Sequence, residues 1–287
     1  VSLLKNRYDI KYMFDEGGMS KIYKALDLFL DQLVAIKEIC IPEEEKEYEV
    51  ELRKRLQREY RLLSSLQHPN VVKAIDFFEE NESLYLVLEF VNGEPLDKIL
   101  GFEEDIFSLQ QKISIALQLA NAVKTINDAG IVHRDVKPSN IIIDRTTGQP
   151  KILDLGIGKP LEADNFTQLT VDGSVLGTVD YMSPEQLRGD TDLKTDTFSL
   201  GATFYQFFLW DEKSPFFHQD VMTCAQRIIA EQVPLLVSKV TPEKMQQHNE
   251  VYQLLSATIS GMLIKEPMVR TSIEKVIENL ETARQKL

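Results

Sequence analysis

His133-Arg134-Asp135-Val136-Lys137-Pro138-Ser139-Asn140 is the stretch whose reading decides this chain. It gathers two cations, a carboxylate, a histidine and an amide side chain into one polar loop, between neighbours of different kinds. Before it, Leu109–Ala129 repeats apolar residues at helical spacing and stops at Gly130, a natural C-terminal stop. After it, Ile141–Ile143 and Lys151–Leu153 read as short apolar strands joined by a turn containing Gly148 and Pro150. Taken alone, such a loop is a polar turn around a satisfied histidine.

Working outward, the first ninety or so residues carry strand-like stretches at Asp9–Tyr12, Lys21–Ala25, Leu33–Cys40, Val71–Phe78 and Ser83–Phe90, the pattern of an antiparallel sheet. One helical segment interrupts them, from about Glu47 to Leu66. Its leucines at 52, 56, 63 and 66 form a stripe, and Glu59 falls inside it. A carboxylate on a buried face is costly unless paired, so Glu59 is either ion-paired or solvated at the stripe's edge. In Val34-Ala35-Ile36-Lys37, period-two alternation puts Ala35 and Lys37 on one face of a strand. Past Asn92-Gly93 the pattern turns helical, apart from a polar, Thr-rich stretch at about Gly156–Gly177. The segment near Thr197–Leu209 is apolar almost all round, as in a helix buried within its lobe. A smaller sheet-dominated part, a connector near Glu89–Gly93 and a larger helical part are therefore expected.

The 287 residues are 43% apolar and 27% charged, a balance that favours a globular protein with a sizeable core. A net charge of −13 argues against a sequence-independent grip on nucleic acid or anionic lipid. Cys40 and Cys224 are too few for a disulfide framework and read as small core residues, which fits a reducing, cytoplasmic setting. No apolar run approaches the roughly 20 residues that span a bilayer, and no signal peptide opens the chain. Because the first residue is Val1, a domain excised from a longer chain is the expectation, and a membrane-anchored parent would look identical within it.

The octapeptide matches H-R-D-x-K-P-x-N, and with it the chain resembles the catalytic domain of eukaryotic-like serine/threonine protein kinases over Tyr8 to Leu280. Three further segments carry the resemblance: Asp154-Leu155-Gly156 where the family has D-F-G, Val34-Ala35-Ile36-Lys37 where it has V-A-I-K, and Ser183-Pro184-Glu185 for A-P-E. Gly-Gly-Met-Ser and Val-Asp-Tyr-Met-Ser-Pro-Glu-Gln resemble bacterial members, and Lys137-Pro138 is the Ser/Thr-type pattern. The resemblance implies an α+β, two-lobed kinase fold, with an N-lobe at 1–91 and a C-lobe at 92–287. It also implies ATP and Mg²⁺, or Mn²⁺, as cofactors and proteins bearing Ser or Thr as substrates.

By that resemblance Asp135 is the carboxylate facing the substrate hydroxyl and Lys137 the cation near the transferred phosphate, while Asn140 and Asp154 hold the metal. Lys37, paired with Glu59, reaches the α- and β-phosphates; Ala35 leaves room for adenine, Glu89 and Val91 offer hinge backbone, and Leu88 is the gatekeeper. Phe14, Gly17, Gly18, Ser20, Ile22 and Ile142 complete the nucleotide-binding set. The glycine-rich loop departs from G-x-G-x-x-G: Asp15 and Ser20 stand at its outer glycines, and read by itself the segment is a hairpin turn. Asp196 is expected to brace the catalytic loop and Arg270 to pair with Glu185. Arg134 beside Asp135 implies autophosphorylation at Thr167, Thr170 or Ser174, in trans within a homodimer, while Thr178 orients the substrate hydroxyl. Two rivals stand beside this reading. A pseudokinase is favoured only by Asp15, and a small-molecule kinase would lack the Ser-Pro-Glu segment.

Overall fold

The structure is a computed structural model that describes residues 3–16, 20–39, 49–81, 83–101, 104–153 and 179–287. Gly17, Gly18, Cys40, Asp154, Thr167, Thr170, Ser174 and Thr178 lie outside the described residues, as do the side chains of Asp15, Ser20, Leu52, Leu56 and Glu59. The chain divides into two compact units, 1–92 and 93–287.

The smaller unit is a six-stranded sheet of β1 (Leu3–Leu4), β2 (Tyr8–Glu16), β3 (Ser20–Asp27), β4 (Gln32–Ile39), β5 (Ala74–Glu80) and β6 (Ser83–Glu89). The order is β1-β2-β3-β4-β6-β5, with every pair antiparallel. Alternation along β4 does the sorting. Val34 and Ile36 are fully buried in a core with Tyr8, Phe78, Tyr85 and Val87, whose rings stack Tyr8 on Phe78 at 5.8 Å and Phe78 on Tyr85 at 5.2 Å. Ala35 and Lys37 point to the other face. Helix α1 (Glu49–Ser65) lies on that second face, because its Tyr60 stacks on Phe77 at 5.8 Å, and Phe77 pairs with Leu86, the cross-strand partner of Lys37. Leu63 and Leu66 are buried, as the stripe anticipates.

The strand expected at Val71–Phe78 runs instead from Ala74 to Glu80. Val71 makes an isolated bridge and Val72 none, and both are buried outside that ladder, so their apolar character reports packing more than ladder pairing.

The larger unit opens with a three-stranded sheet, β7 (Gly93–Pro95), β8 (Ile141–Asp144) and β9 (Pro150–Ile152), in that order. Gly93 is required where it stands, since a Cβ there would come within 2.1 Å of the Ile143 carbonyl oxygen. Helix α2 (Leu109–Asp128) starts with a capping box between Ser108 and Gln111 and stops before Gly130, at φ 73°. After it come α3 (Pro184–Leu187), α4 (Leu193–Leu209), α5 (Val221–Ala230), α6 (Pro242–Met262) and α7 (Ile273–Gln285). Helix α4 is buried nearly end to end, as its all-round apolarity predicts. It begins at Leu193, one turn before the expected start near Thr197, because a capping box between Asp192 and Thr195 secures a polar first turn. Among the described residues no helix is long and apolar enough to cross a membrane.

Candidate active site

The octapeptide forms a loop between α2 and β8, tied down in turn through Asp196, His133 and Asn140. Asp196 on α4 is fully buried, and its carboxylate accepts from the His133 and Arg134 backbone N–H groups at 2.8 Å each and from the Asn127 amide at 2.8 Å. Burial pushes that carboxyl above the usual carboxylate range, against the pull of His133 and these donors. The same Asn127 amide donates to the Ile131 carbonyl at 3.0 Å. Together they fix the backbone where the loop leaves the helix.

His133 is fully buried and bridges inward. Its Nδ1 accepts from the Asp135 N–H at 3.2 Å, so Nε2 carries the proton and donates to the Leu153 carbonyl at 3.0 Å. The Asn140 carbonyl in turn accepts from the Leu153 N–H at 2.8 Å. The residue preceding Asp154 is thus tied to both ends of the loop.

At the centre stands the Asp135 carboxylate. Its Oδ1 lies 3.1 Å from the Lys137 ammonium, and its Oδ2 accepts from the Asn140 Nδ2 at 2.7 Å. That nitrogen also donates to the Asp135 carbonyl at 2.8 Å. With both N–H bonds of the side-chain amide committed to Asp135, the Asn140 side-chain oxygen Oδ1 is the hard donor of the sort Mg²⁺ takes. No group of three His, Cys, Asp or Glu able to hold a metal exists among the described residues.

In the smaller unit, the β4 register brings Ile22, Lys37 and Leu86 side by side on one sheet face, with Lys24, Ala35 and Leu88 as the next row. Ala35 and Lys37 therefore share a face, as alternation requires. Behind them, Glu38 on the core face accepts from the Tyr23 hydroxyl at 2.6 Å and the Tyr85 hydroxyl at 2.8 Å. Burial raises that carboxyl, but the two phenols together with Ser83 and the Lys21 charge outweigh burial and hold it below its ordinary value. Glu89 ends β6 with its side chain accepting from the Lys73 N–H at 3.0 Å, and Val91 is buried. Phe14 sits half exposed at a bulge of β2, edge-on to Tyr12 at 6.5 Å. Ile142, on β8 of the larger unit, is half-buried between Pro95 and Lys151.

Glu185 and Arg270 meet as expected, at 2.6 and 2.9 Å. Asn127 was not singled out from the sequence, although a signal existed: it follows Ile113, Ala116, Ala120 and Val123 on the apolar stripe of α2, where a buried amide needs partners. A cavity of 310 Å³ in the larger unit, lined by Tyr205, Leu235, Ile259, Leu263 and Lys265 among others, takes no residue from the 133–140 loop.

Residues 8–280 match the family model described as protein kinase domain. The chain is 34% identical over 273 residues to the serine/threonine-protein kinase PknA of Mycobacterium tuberculosis, covering 93% of this chain and 58% of that protein. It is 32% identical over 281 residues to a probable serine/threonine-protein kinase of Clostridium perfringens, covering 97% and 38%. Similarity to the serine/threonine-protein kinase PrkC of Bacillus subtilis is 34% over 232 residues, covering 80% and 34%. The chain thus spans at most about three-fifths of the length of these relatives.

Proposed function

Because the chain belongs to the protein kinase domain family, we propose that it transfers the γ-phosphoryl group of ATP to serine or threonine hydroxyls of protein substrates. The carrying observation is the Asp135 carboxylate, held by Lys137 at one oxygen and Asn140 at the other. Asp135 orients the incoming hydroxyl and takes its proton as the new P–O bond forms and the bond to the β-phosphate bridging oxygen breaks, releasing ADP. Lys137 offsets charge on the phosphoryl oxygens. Asn140 and Asp154 would hold Mg²⁺, or Mn²⁺, through hard oxygen donors, and the ion would supply positive charge against that of the phosphates.

In this reading 1–91 and 92–287 are the N- and C-lobes of a two-lobed α+β kinase. Lys37, paired with Glu59, positions the α- and β-phosphates. Phe14, Gly17, Gly18, Ser20, Ile22, Ala35, Ile142 and the backbone of Glu89 and Val91 enclose the nucleotide. Thr170, or its neighbour Thr167 or Ser174, is the autophosphorylation site, filled in trans between two copies. The domain works in the cytoplasm, where its ATP is.

The test is radiolabelled transfer from ATP to a generic protein substrate with Mg²⁺, for the parent, Asp135→Asn and Lys37→Met. Loss of the base is expected to lower the rate roughly 10²–10⁴-fold, with a comparable loss for Lys37→Met. Equal labelling by all three proteins sinks the assignment. Mass spectrometry after incubation with ATP, finding no phosphate between residues 156 and 178, would remove the autophosphorylation proposal.

A further inference from the structure

Arg134 occupies left-handed backbone at φ 66°, a conformation that costs a non-glycine residue free energy and persists only where surrounding bonds impose it. Its N–H is held by Asp196 at 2.8 Å. Its carbonyl oxygen is held from another direction. Gln186, on α3, donates from Nε2 to the Arg134 oxygen at 2.8 Å. The acceptor is a carbonyl, so the amide orientation is unambiguous: NH₂ faces the loop. The Gln186 Oε1 is buried and, among the described residues, accepts no hydrogen bond. A buried polar atom left in this state opposes folding. An apolar side chain of similar length would avoid that cost and forfeit only the bond to Arg134.

Helix α3 is itself fixed. The Ser183 hydroxyl accepts from the Gln186 N–H at 3.2 Å, and Glu185 is clamped by Arg270 at 2.6 and 2.9 Å. The side chain reaching Arg134 therefore starts from an anchored base, one residue past the buried ion pair.

We infer that Gln186 is a positioning residue for catalysis: through the Arg134 carbonyl it holds the left-handed turn that aims Asp135. The peptide unit it grips joins Arg134 to Asp135, so releasing it frees the rotation that carries the Asp135 side chain. The catalytic half of this inference rests on the phosphoryl-transfer reading above, whereas the conformational half does not.

The two halves are tested separately in the full 287-residue chain. Amide hydrogen exchange in Gln186→Leu should be about tenfold faster than in the parent at Arg134–Asp135, with α4 and α7 unchanged. In peptide phosphorylation its kcat should fall roughly 10- to 100-fold with KM for ATP unaltered. Gln186→Glu gives a second reading, since its carboxyl can donate to the Arg134 oxygen only while protonated. Its kcat relative to the parent should climb as pH falls from 8.5 to 6. Parental exchange in the loop of Gln186→Leu overturns the inference, and so does a pH-independent ratio for Gln186→Glu. An inactive parent whose Gln186→Leu variant still shows accelerated exchange removes the phosphoryl-transfer reading and leaves the conformational role standing.

Discussion

Lys265 is a single residue at odds with its surroundings. Its ammonium is buried without a hydrogen-bond partner among the described residues, 4.3 Å from the Phe216 ring centre and 5.3 Å from that of Phe198. Burial, aided by the nearby Arg270 guanidinium, lowers its pKa to about 8. The unfolded chain then holds this proton more tightly, so folding stability rises with pH between about 8 and the ordinary lysine value of about 10.4. Lys265→Met should therefore raise the denaturation midpoint at pH 7, and the advantage should shrink as pH climbs from 8 towards 10. A lower midpoint at pH 7 would mean that the ring contacts outweigh desolvation. Nothing in the sequence marks Lys265, because burial of one lysine among exposed ones is a tertiary property. Asp135, Lys137 and Asn140 were legible for the opposite reason: their chemistry is local, closed within six residues of chain.

At the scale of elements, the decisive join is α3 to the segment before α7. Arg270 is 2% exposed and its guanidinium serves Glu185 along with the carbonyls of Ile264, Lys194 and Lys265. Burial pushes Glu185 up, but the Arg270 hydrogen bonds and charge outweigh it and leave the carboxyl below its ordinary value. A depressed carboxylate stabilises the fold above its unfolded pKa, and that contribution disappears as pH drops through the folded one. Glu185→Gln, which leaves a buried guanidinium short of a counter-charge, should cost about 3–5 kcal/mol at pH 7 in urea denaturation. The gap should narrow below pH about 4.3, where the unfolded parent begins to take up the proton. A gap unchanged between pH 7 and 3.5 would deny the ion pair its role. Pairing of Glu185 with Arg270 could be anticipated from resemblance alone. The exact strand start at Ala74 could not, since buried Val71 and Val72 carry the same apolar signature as a ladder residue.

For the molecule as a whole, the relevant quantity is a net charge of −13. Attraction of that charge for a cationic peptide is long-ranged, and salt screens it over a Debye length of about 10 Å at 0.1 M. Raising NaCl from 20 to 300 mM should reduce kcat/KM for a basic peptide about tenfold or more, and should leave a neutral peptide of equal length nearly unaffected. Parallel salt curves for the two peptides would show that recognition is confined to short-range contacts. The change from a sheet-rich to a helix-rich part near Glu89–Gly93 was readable because the periodicity shifts there from two to 3.6, while the compact units themselves part after Asn92, one residue beyond the expected 91/92 boundary. Cross-element bonds such as Gln186 to Arg134 join residues 52 positions apart and leave no periodic trace.

Arg270 spends every N–H it has: Nε on Ile264, and two bonds from each terminal nitrogen. A lysine in its place brings three hydrogens radiating from one atom, so at least two of the five bonds go unmade. Conservation of charge is therefore no substitute for the planar fork, and this position admits no gradual route to the other long cation.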